Sequence, residues 1–200
     1  MKPQDIFIET VKTLCPEISD NELEEFKYGL FVKNFKSKEL IFDPIKPQNS
    51  IAYTITGLVR SYYINEKSAE ITAWFVPELD FVSDYPAFLN DAKSNYTFQA
   101  LENTTVVIIP KKLIERAYNA SPKFEKFGRL IAEEAVKFLQ GRIESFIFKT
   151  ATERYIEFMN NENKIFKRVS VEQIATYLGI ERQSLTRIRK QLVLQGFKKL

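Results

Sequence analysis

Residues 168–192, RVSVEQIATYLGIERQSLTRIRKQL, carry side chains that could read DNA. If a helix begins near Glu181, its outward positions are polar or basic: Arg182, Gln183, Ser184, Thr186, Arg187 and Lys190. Arginine can form two hydrogen bonds with guanine, and glutamine can form two with adenine. Hydroxyl and lysine side chains bind backbone phosphates. No acid follows Glu181, although a merely solvated helix more often includes acids. The stretch therefore predicts an interface with double-stranded DNA.

The same stretch has the spacing of a helix-turn-helix. A buried side for two short helices is supplied by Val171, Ile174, Ala175, Leu178, Ile180, Leu185, Ile188 and Leu192. Gly179 can end the first helix in a left-handed conformation, and the small Ala175 lets the second helix approach closely. Glu181 caps less well than Ser or Thr, so the second helix should begin less firmly. The alternative is an amphipathic hairpin that serves as a protein-contact surface.

Composition excludes several classes of function. The chain has 200 residues, no histidine and one cysteine, Cys15. Histidine supplies most metal ligation and most acid–base chemistry near neutral pH, so we expect no enzyme, no metal site and no cofactor. No apolar run approaches the roughly 18 residues that span a bilayer. The N-terminus lacks a signal peptide's pattern, so we expect a cytoplasmic protein without a membrane partner.

Charge is distributed unevenly along the chain. Residues 150–200 contain ten Lys and Arg against five Asp and Glu, whereas residues 1–149 contain nineteen against twenty-one. A near-neutral front part joined to a basic end is typical of a sensor with a nucleic-acid-binding module. The alternative is a solvated charged face.

The spacing of apolar residues predicts the helices and strands that position the basic helix. Residues 5–14 and 21–28 have helical spacing, with Ser19 or Asp20 as a cap for the second. Residues 31–110 contain short runs rich in β-branched and aromatic residues, including KELIF at residues 38–42, separated by turns. Such spacing predicts an antiparallel sandwich or roll.

A short helix over residues 111–120 should follow, and then a long one. Ser121 and Pro122 are suited to open this long helix, which should run to about Phe148. Its apolar positions step by three and four: Phe124, Phe127, Ile131, Ala135 and Phe138. A helix this long can bury such a seam against a second copy, so we expect a homodimer. The alternative is packing against its own β-domain.

Together these motifs resemble the Crp/Fnr (cyclic-AMP receptor protein and fumarate–nitrate regulator) transcription factors. YTITGLVRSYYI is similar to the family's roll hairpin with a structural glycine at Gly57, FKTATERY to its hinge, and GIERQSLTR to its recognition helix. The resemblance implies an α+β protein. It should have an N-terminal antiparallel β-roll of the cyclic-nucleotide-binding jelly-roll type (residues 1–120), a dimerisation helix with hinge (121–149) and a helix-turn-helix domain (150–200).

The sequence departs from the family's pattern at the effector pocket. Cyclic-nucleotide binders hold the phosphate with a Gly-Glu pair and an Arg-Ser/Thr pair, and residues of the dimer helix meet the base. The matching positions here read Ser83, Asp84, Ser94, Asn95, Leu139 and Gln140. A buried phosphate needs an arginine fork, so we expect no response to cyclic AMP, unless the neighbouring Lys93 substitutes. The cysteine cluster of the family's iron–sulfur branch is also missing, and the small-molecule effector is unidentified.

The resemblance also implies a β-hairpin wing after the recognition helix, where this sequence has only VLQGFKKL. Lys198 and Lys199 are candidates to replace the wing's phosphate contacts. The implied partners are a palindromic DNA operator, a second copy of the chain and RNA polymerase. The alternatives left open are a cyclic-nucleotide-responsive regulator of the same fold, and a ligand-binding or scaffold module without DNA binding.

Overall fold

The computed structural model describes residues 1–196 as a mixed α+β protein, which confirms the predicted fold class. The strands are β1 (Phe31–Phe35), β2 (Ser50–Thr56), β3 (Val59–Ile64), β4 (Glu70–Val76), β5 (Phe81–Val82), β6 (Thr97–Ala100) and β7 (Thr104–Pro110). The helices are α1 (Pro3–Leu14), α2 (Asp20–Lys27), α3 (Tyr85–Leu89), α4 (Lys111–Ala120), α5 (Pro122–Phe148), α6 (Ala151–Asn161), α7 (Asn163–Phe166), α8 (Val171–Tyr177) and α9 (Arg182–Leu194).

The strands form two sheets, ordered β1-β7-β2-β5 and β4-β3-β6. In the first sheet the pairings of β7 with β1 and β2 and of β2 with β5 are antiparallel, and Tyr53 lies opposite Val107. Gly57 connects β2 to β3 with a φ of +95°, and an added Cβ would lie 2.7 Å from the carbonyl oxygen of Asn103. Both the backbone conformation and the close approach therefore require glycine at this turn.

The expectation of a strand at residues 38–42 is wrong. Only Leu40 forms an isolated bridge, to Gln99. Lys38 has a φ of +74°, outside the extended region, so the segment follows β6 through separate backbone hydrogen bonds instead of a continuous ladder.

The first of two compact units comprises residues 1–61 and 76–137. Its core lies where α1, α2 and the start of α5 cover β2 and β7. Phe7 of α1 contacts Tyr53 with ring centroids 4.9 Å apart, and Phe26 of α2 contacts Phe124 of α5 at the same distance. Ser19 caps α2 as predicted, by accepting a hydrogen bond from the Glu22 amide.

The second unit comprises residues 62–75 and 138–200, of which the structure describes those up to 196. It contains the end of β3, most of β4, the C-terminal part of α5, and helices α6 to α9. Its core includes Phe75, Tyr155, Phe158, Ile174 and Leu185. The sequence-based boundaries at residues 120 and 149 stay a prediction. None of the helices described is long and apolar enough to cross a membrane.

Candidate nucleic-acid interface

The turn between α8 and α9 is built as the sequence indicated. Gly179 has a φ of +68°, the left-handed conformation. The Gly179 amide donates to the Thr176 carbonyl at 3.1 Å, and the Ile180 amide donates to the Ala175 carbonyl at 3.0 Å. This pair of bonds is the Schellman arrangement, which satisfies the last carbonyls of α8 and turns the chain into α9.

The two helices pack through the apolar side chains that the sequence predicts to be buried. Ala175 and Leu178 are each 1% exposed, and on α9 the buried residues are Leu185, Ile188 and Leu192. Ser170 caps α8, and its hydroxyl accepts from the Gln173 amide. Glu181 precedes α9 without a side-chain cap bond, as expected for a weak N-cap. Burying this apolar side fixes which side of α9 faces outward.

The outward side of α9 carries the predicted DNA contacts. Arg182, Gln183, Thr186, Arg187 and Lys190 are exposed, whereas Ser184 is half-buried. The Thr186 hydroxyl donates to the Arg182 carbonyl at 3.0 Å. A shallow groove of about 640 Å³ beside this face is lined by Val171, Arg182, Thr186, Arg189, Lys190, Val193 and Leu194. The structure thus places three cationic side chains around one groove, including Arg189, which the sequence analysis missed.

An acidic residue lies beside this cationic face. Glu172, in the first turn of α8, places a carboxylate oxygen 3.6 Å from the Arg182 guanidinium, and both side chains are exposed. Glu172 precedes Glu181 in the sequence and so lies outside the acid-free stretch. The arrangement puts a competing anion next to the first arginine predicted to read a base.

Beyond Leu192 the chain does not begin a wing strand within the described residues. Val193 and Leu194 extend α9, and both are exposed. Lys198 and Lys199, the candidates for additional phosphate contacts, lie outside the described residues.

Two arginines hold the C-terminal end of α8. The Arg142 guanidinium lies 3.8 Å from the Tyr177 ring centroid and donates to the Tyr177 carbonyl at 3.0 Å. Arg154 of α6 donates from two nitrogens to the Leu178 carbonyl, at 3.2 and 3.1 Å. Burial lowers the pKa of Arg142 and raises the pKa of Tyr177. Cations at the C-terminal end of a helix interact favourably with its dipole.

The predicted dimer seam divides into two parts along α5. Phe124 and Phe127 are 4% and 8% exposed and belong to the core of the first unit, and Ile131 packs against that core. The interface prediction is corrected at the two phenylalanines, because the protomer itself buries them. Ala135 and Phe138 are exposed.

A second apolar row on α5 is exposed instead. It consists of Val136, Leu139, Ile143 and Ile147, which step by three, four and four residues. Each of these side chains is more than half exposed. We refer to these four residues as the exposed row. Residues at such steps lie on one side of a helix.

The effector-pocket candidates of the first unit form a closed polar network. The Asp84 carboxylate accepts from the Ser94 hydroxyl at 2.9 Å, the Asn95 amide at 3.2 Å and the Ala87 amide at 3.3 Å. Gln48 donates to the Ser83 hydroxyl at 2.8 Å and accepts from the Asp84 amide at 3.2 Å. The acid that would bind a ribose is thus engaged within the protein.

The remaining pocket candidates, Leu139 and Gln140, belong to the second unit. Both are exposed, and Gln140 donates to the Glu144 carboxylate at 2.8 Å. Lys93, the candidate anion ligand, is exposed, and its backbone bridges to Pro47. Among the described residues the structure brings together no group of three His, Cys, Asp or Glu that could hold a metal ion.

Comparison with known proteins gives one sequence match and several structural ones. Residues 32–121 match the family described as the cyclic nucleotide-binding domain. No curated protein sequence is significantly similar to the chain.

The structural matches cover most of the chain. FixK2 from Bradyrhizobium japonicum is 18% identical with a TM-score of 0.71, over 84% of this chain and 86% of FixK2. The c-di-GMP-responsive global regulator CLP from Xanthomonas campestris is 17% identical with a TM-score of 0.71, over 89% and 93% of the two chains. A regulator assigned to the Crp/Fnr family from Eubacterium rectale is 17% identical with a TM-score of 0.73, over 94% and 89%. At this level of identity the likeness concerns the fold.

Proposed function

We propose that the protein is a homodimeric, sequence-specific DNA-binding transcription regulator, because residues 32–121 match the cyclic nucleotide-binding domain family and the fold is similar to that of Crp/Fnr regulators. The observation that carries the proposal is the outward side of α9. It exposes Arg182, Gln183, Arg187 and Lys190 on a helix held by a packed turn. RNA polymerase stays a candidate partner.

The chemistry of α9 suits the major groove of DNA. That groove admits an α-helix and displays a distinct pattern of donors and acceptors for each base pair. Arg182 and Arg187 supply forked donors for guanine, and Gln183 supplies one donor and one acceptor for adenine. Lys190, further along the same helix, suits a phosphate. A protein-contact surface of the scaffold type would not need this concentration of cations.

Dimerisation is proposed through the exposed row of α5. Removing apolar surface from water contributes about 25 cal/mol per Å², so four exposed aliphatic side chains on one side of a helix favour a partner. The same row on a second copy is complementary by symmetry, because a two-fold interface uses the same patch twice. Two copies would present two copies of α9 to a palindromic operator.

We propose that the sensor domain does not respond to cyclic AMP or cyclic GMP. A buried phosphodiester needs charge-assisted donors, and Ser94 stands where the binders have arginine. Ser94 instead donates to the Asp84 carboxylate, which also holds the Asn95 and Ala87 amides. Binding a ribose at Asp84 would require breaking these bonds.

The test is a gel-shift assay with DNA from upstream of the protein's own gene. The wild-type protein should shift a specific fragment in the presence of excess nonspecific DNA. Arg182→Ala with Arg187→Ala should abolish the shift, whereas the control Lys36→Ala with Lys38→Ala removes two exposed lysines of the first unit and should not. Equal binding by both double variants would refute DNA reading by α9.

A further inference from the structure

We propose that Arg142 is a positioning residue that fixes the helix-turn-helix against the dimer helix α5 and thereby sets the separation of the two reading helices in the dimer. The inference rests on the proposed function. It concerns contacts within the second unit, to which residues 138–196 of the described chain and residues 62–75 belong.

The contacts of Arg142 join three elements. Its guanidinium stacks on Tyr177, the last residue of α8, at 3.8 Å. One terminal nitrogen donates to the Tyr177 carbonyl at 3.0 Å and to the Ala73 carbonyl of β4 at 3.4 Å. A planar guanidinium can stack and donate in its own plane at once, which a lysine ammonium cannot do. Arg142 therefore ties α5 to the end of the helix that precedes the reading helix.

Neighbouring contacts converge on the same end of α8. Phe146, one turn beyond Arg142, lies against Gly179, and its ring is 4.9 Å from the Arg142 guanidinium. The Thr176 hydroxyl accepts from the Thr72 amide at 3.2 Å. The end of α8 is thus held from α5 and from β4.

The connection between α5 and α6 is short, and Lys149 within it pairs with Glu157 of α6 at 2.7 Å. Only Lys149 and Thr150 separate the two helices, and a few non-helical torsions are enough for a hinge. With the hinge as the sole connection, the helix-turn-helix could take many directions relative to α5. The contacts at Tyr177 select one direction, in which the outward side of α9 stays exposed.

A fixed direction has a consequence for binding to two half-sites. Once one reading helix is bound, the second binds within the same molecule, with an effective concentration that depends on geometry. Half-sites one helical turn apart, about 34 Å, require a defined separation of the two α9 helices. Loss of the Arg142 contact should therefore weaken binding to the full palindrome and leave the affinity for a single half-site unchanged.

The experiment compares Arg142→Met with the matched control Arg129→Met. Arg129 is an exposed arginine of the same helix, and its guanidinium pairs with Glu133. For Arg142→Met we expect the Kd for the full palindrome to rise about tenfold or more, and the Kd for DNA with one scrambled half-site to change less than about twofold. Arg142→Lys should show the same loss, because the ammonium cannot replace the stack. Arg129→Met should change neither Kd. Equal losses on both DNAs, or no loss on either, would overturn the inference.

A second measurement needs no DNA. Gln191→Cys provides an exposed site for a spin label on α9, whereas the native Cys15 is buried. The distance distribution between the two labels of a dimer should be narrow with Arg142 and at least twofold broader with Arg142→Met. Equal widths would overturn the inference even if the protein bound no DNA. The absence of any dipolar signal in the otherwise wild-type protein would refute the homodimer, and the inference with it.

Discussion

Phe146 lies against Gly179 so closely that a Cβ on the glycine would come within 2.8 Å of the ring. Since Gly179 also has a φ of +68°, the position is unfavourable for any other residue. Gly179→Ala should destabilise the second unit by about 1–2 kcal/mol from the backbone alone. Gly141→Ala is the control, because it lies in a helix with open space around it and should stabilise that helix by up to about 1 kcal/mol. Thermal unfolding should show opposite shifts, and a neutral Gly179→Ala would contradict the turn geometry.

The exposed row should mediate dimerisation. Leu139→Glu with Ile143→Glu places charges in an apolar interface and should give monomers, because burying unpaired charges is strongly unfavourable. Lys137→Glu with Gly141→Glu adds two glutamates at exposed positions of α5 outside the exposed row and should leave the dimer intact. Sedimentation velocity measures both. A dimer that survives the first pair of substitutions would refute this interface.

Gln183 should prefer an A·T pair at its position in each half-site, whereas glutamate would accept from the cytosine amino group. Gln183→Glu should therefore change the preferred pair to C·G in selection from random DNA. Arg182→Ala should cost about 1–3 kcal/mol and relax the preference at one base pair only. Lys190→Ala should weaken binding to all DNA sequences alike. It should also reduce the slope of log affinity against log salt concentration by about 1. Selection of C·G by the wild-type protein would show that the assumed register is wrong.

Glu172 should weaken DNA binding, because its carboxylate competes with DNA for Arg182. Glu172→Gln should tighten operator binding by up to about fivefold, the range expected from an exposed ion pair. The effect should shrink as salt is raised, since exposed charges are screened. Glu134→Gln removes an exposed carboxylate of α5 that pairs with Lys137, and should leave the Kd unchanged. Weaker binding by Glu172→Gln would mean that the carboxylate orients Arg182 productively.

Calorimetry with cyclic AMP and cyclic GMP should show no binding at micromolar concentration. Asp84→Ala should destabilise the first unit by about 1–3 kcal/mol, because it leaves the Ser94, Asn95 and Ala87 donors without their acceptor. Glu115→Ala removes an exposed acid of the same unit, and the cost should be smaller. A micromolar Kd for either nucleotide would restore the alternative of a cyclic-nucleotide-responsive regulator.

The helix-turn-helix could be predicted from the sequence because its determinants are local. Ala175, Gly179 and Ile180 lie within six residues, and each meets a backbone or packing requirement that only a few residue types satisfy. The long helix was predicted to its observed end at Phe148 for a related reason, since apolar residues at a helical period over seven turns specify a helix regardless of what covers them.

What covers an apolar position was decided by the tertiary structure. Phe124 and Phe127 have the spacing of a dimer seam, yet Phe26 and Phe7 from the N-terminal helices pack against them. Helical period records that one side of a helix is apolar and carries no information about the partner that buries it. The role of Arg142 could not be predicted for the same reason, because Tyr177, which it contacts, is 35 residues further along the chain. Local chemistry thus determined the type and limits of the helices, whereas contacts between residues distant in sequence determined which of their surfaces stay free to bind.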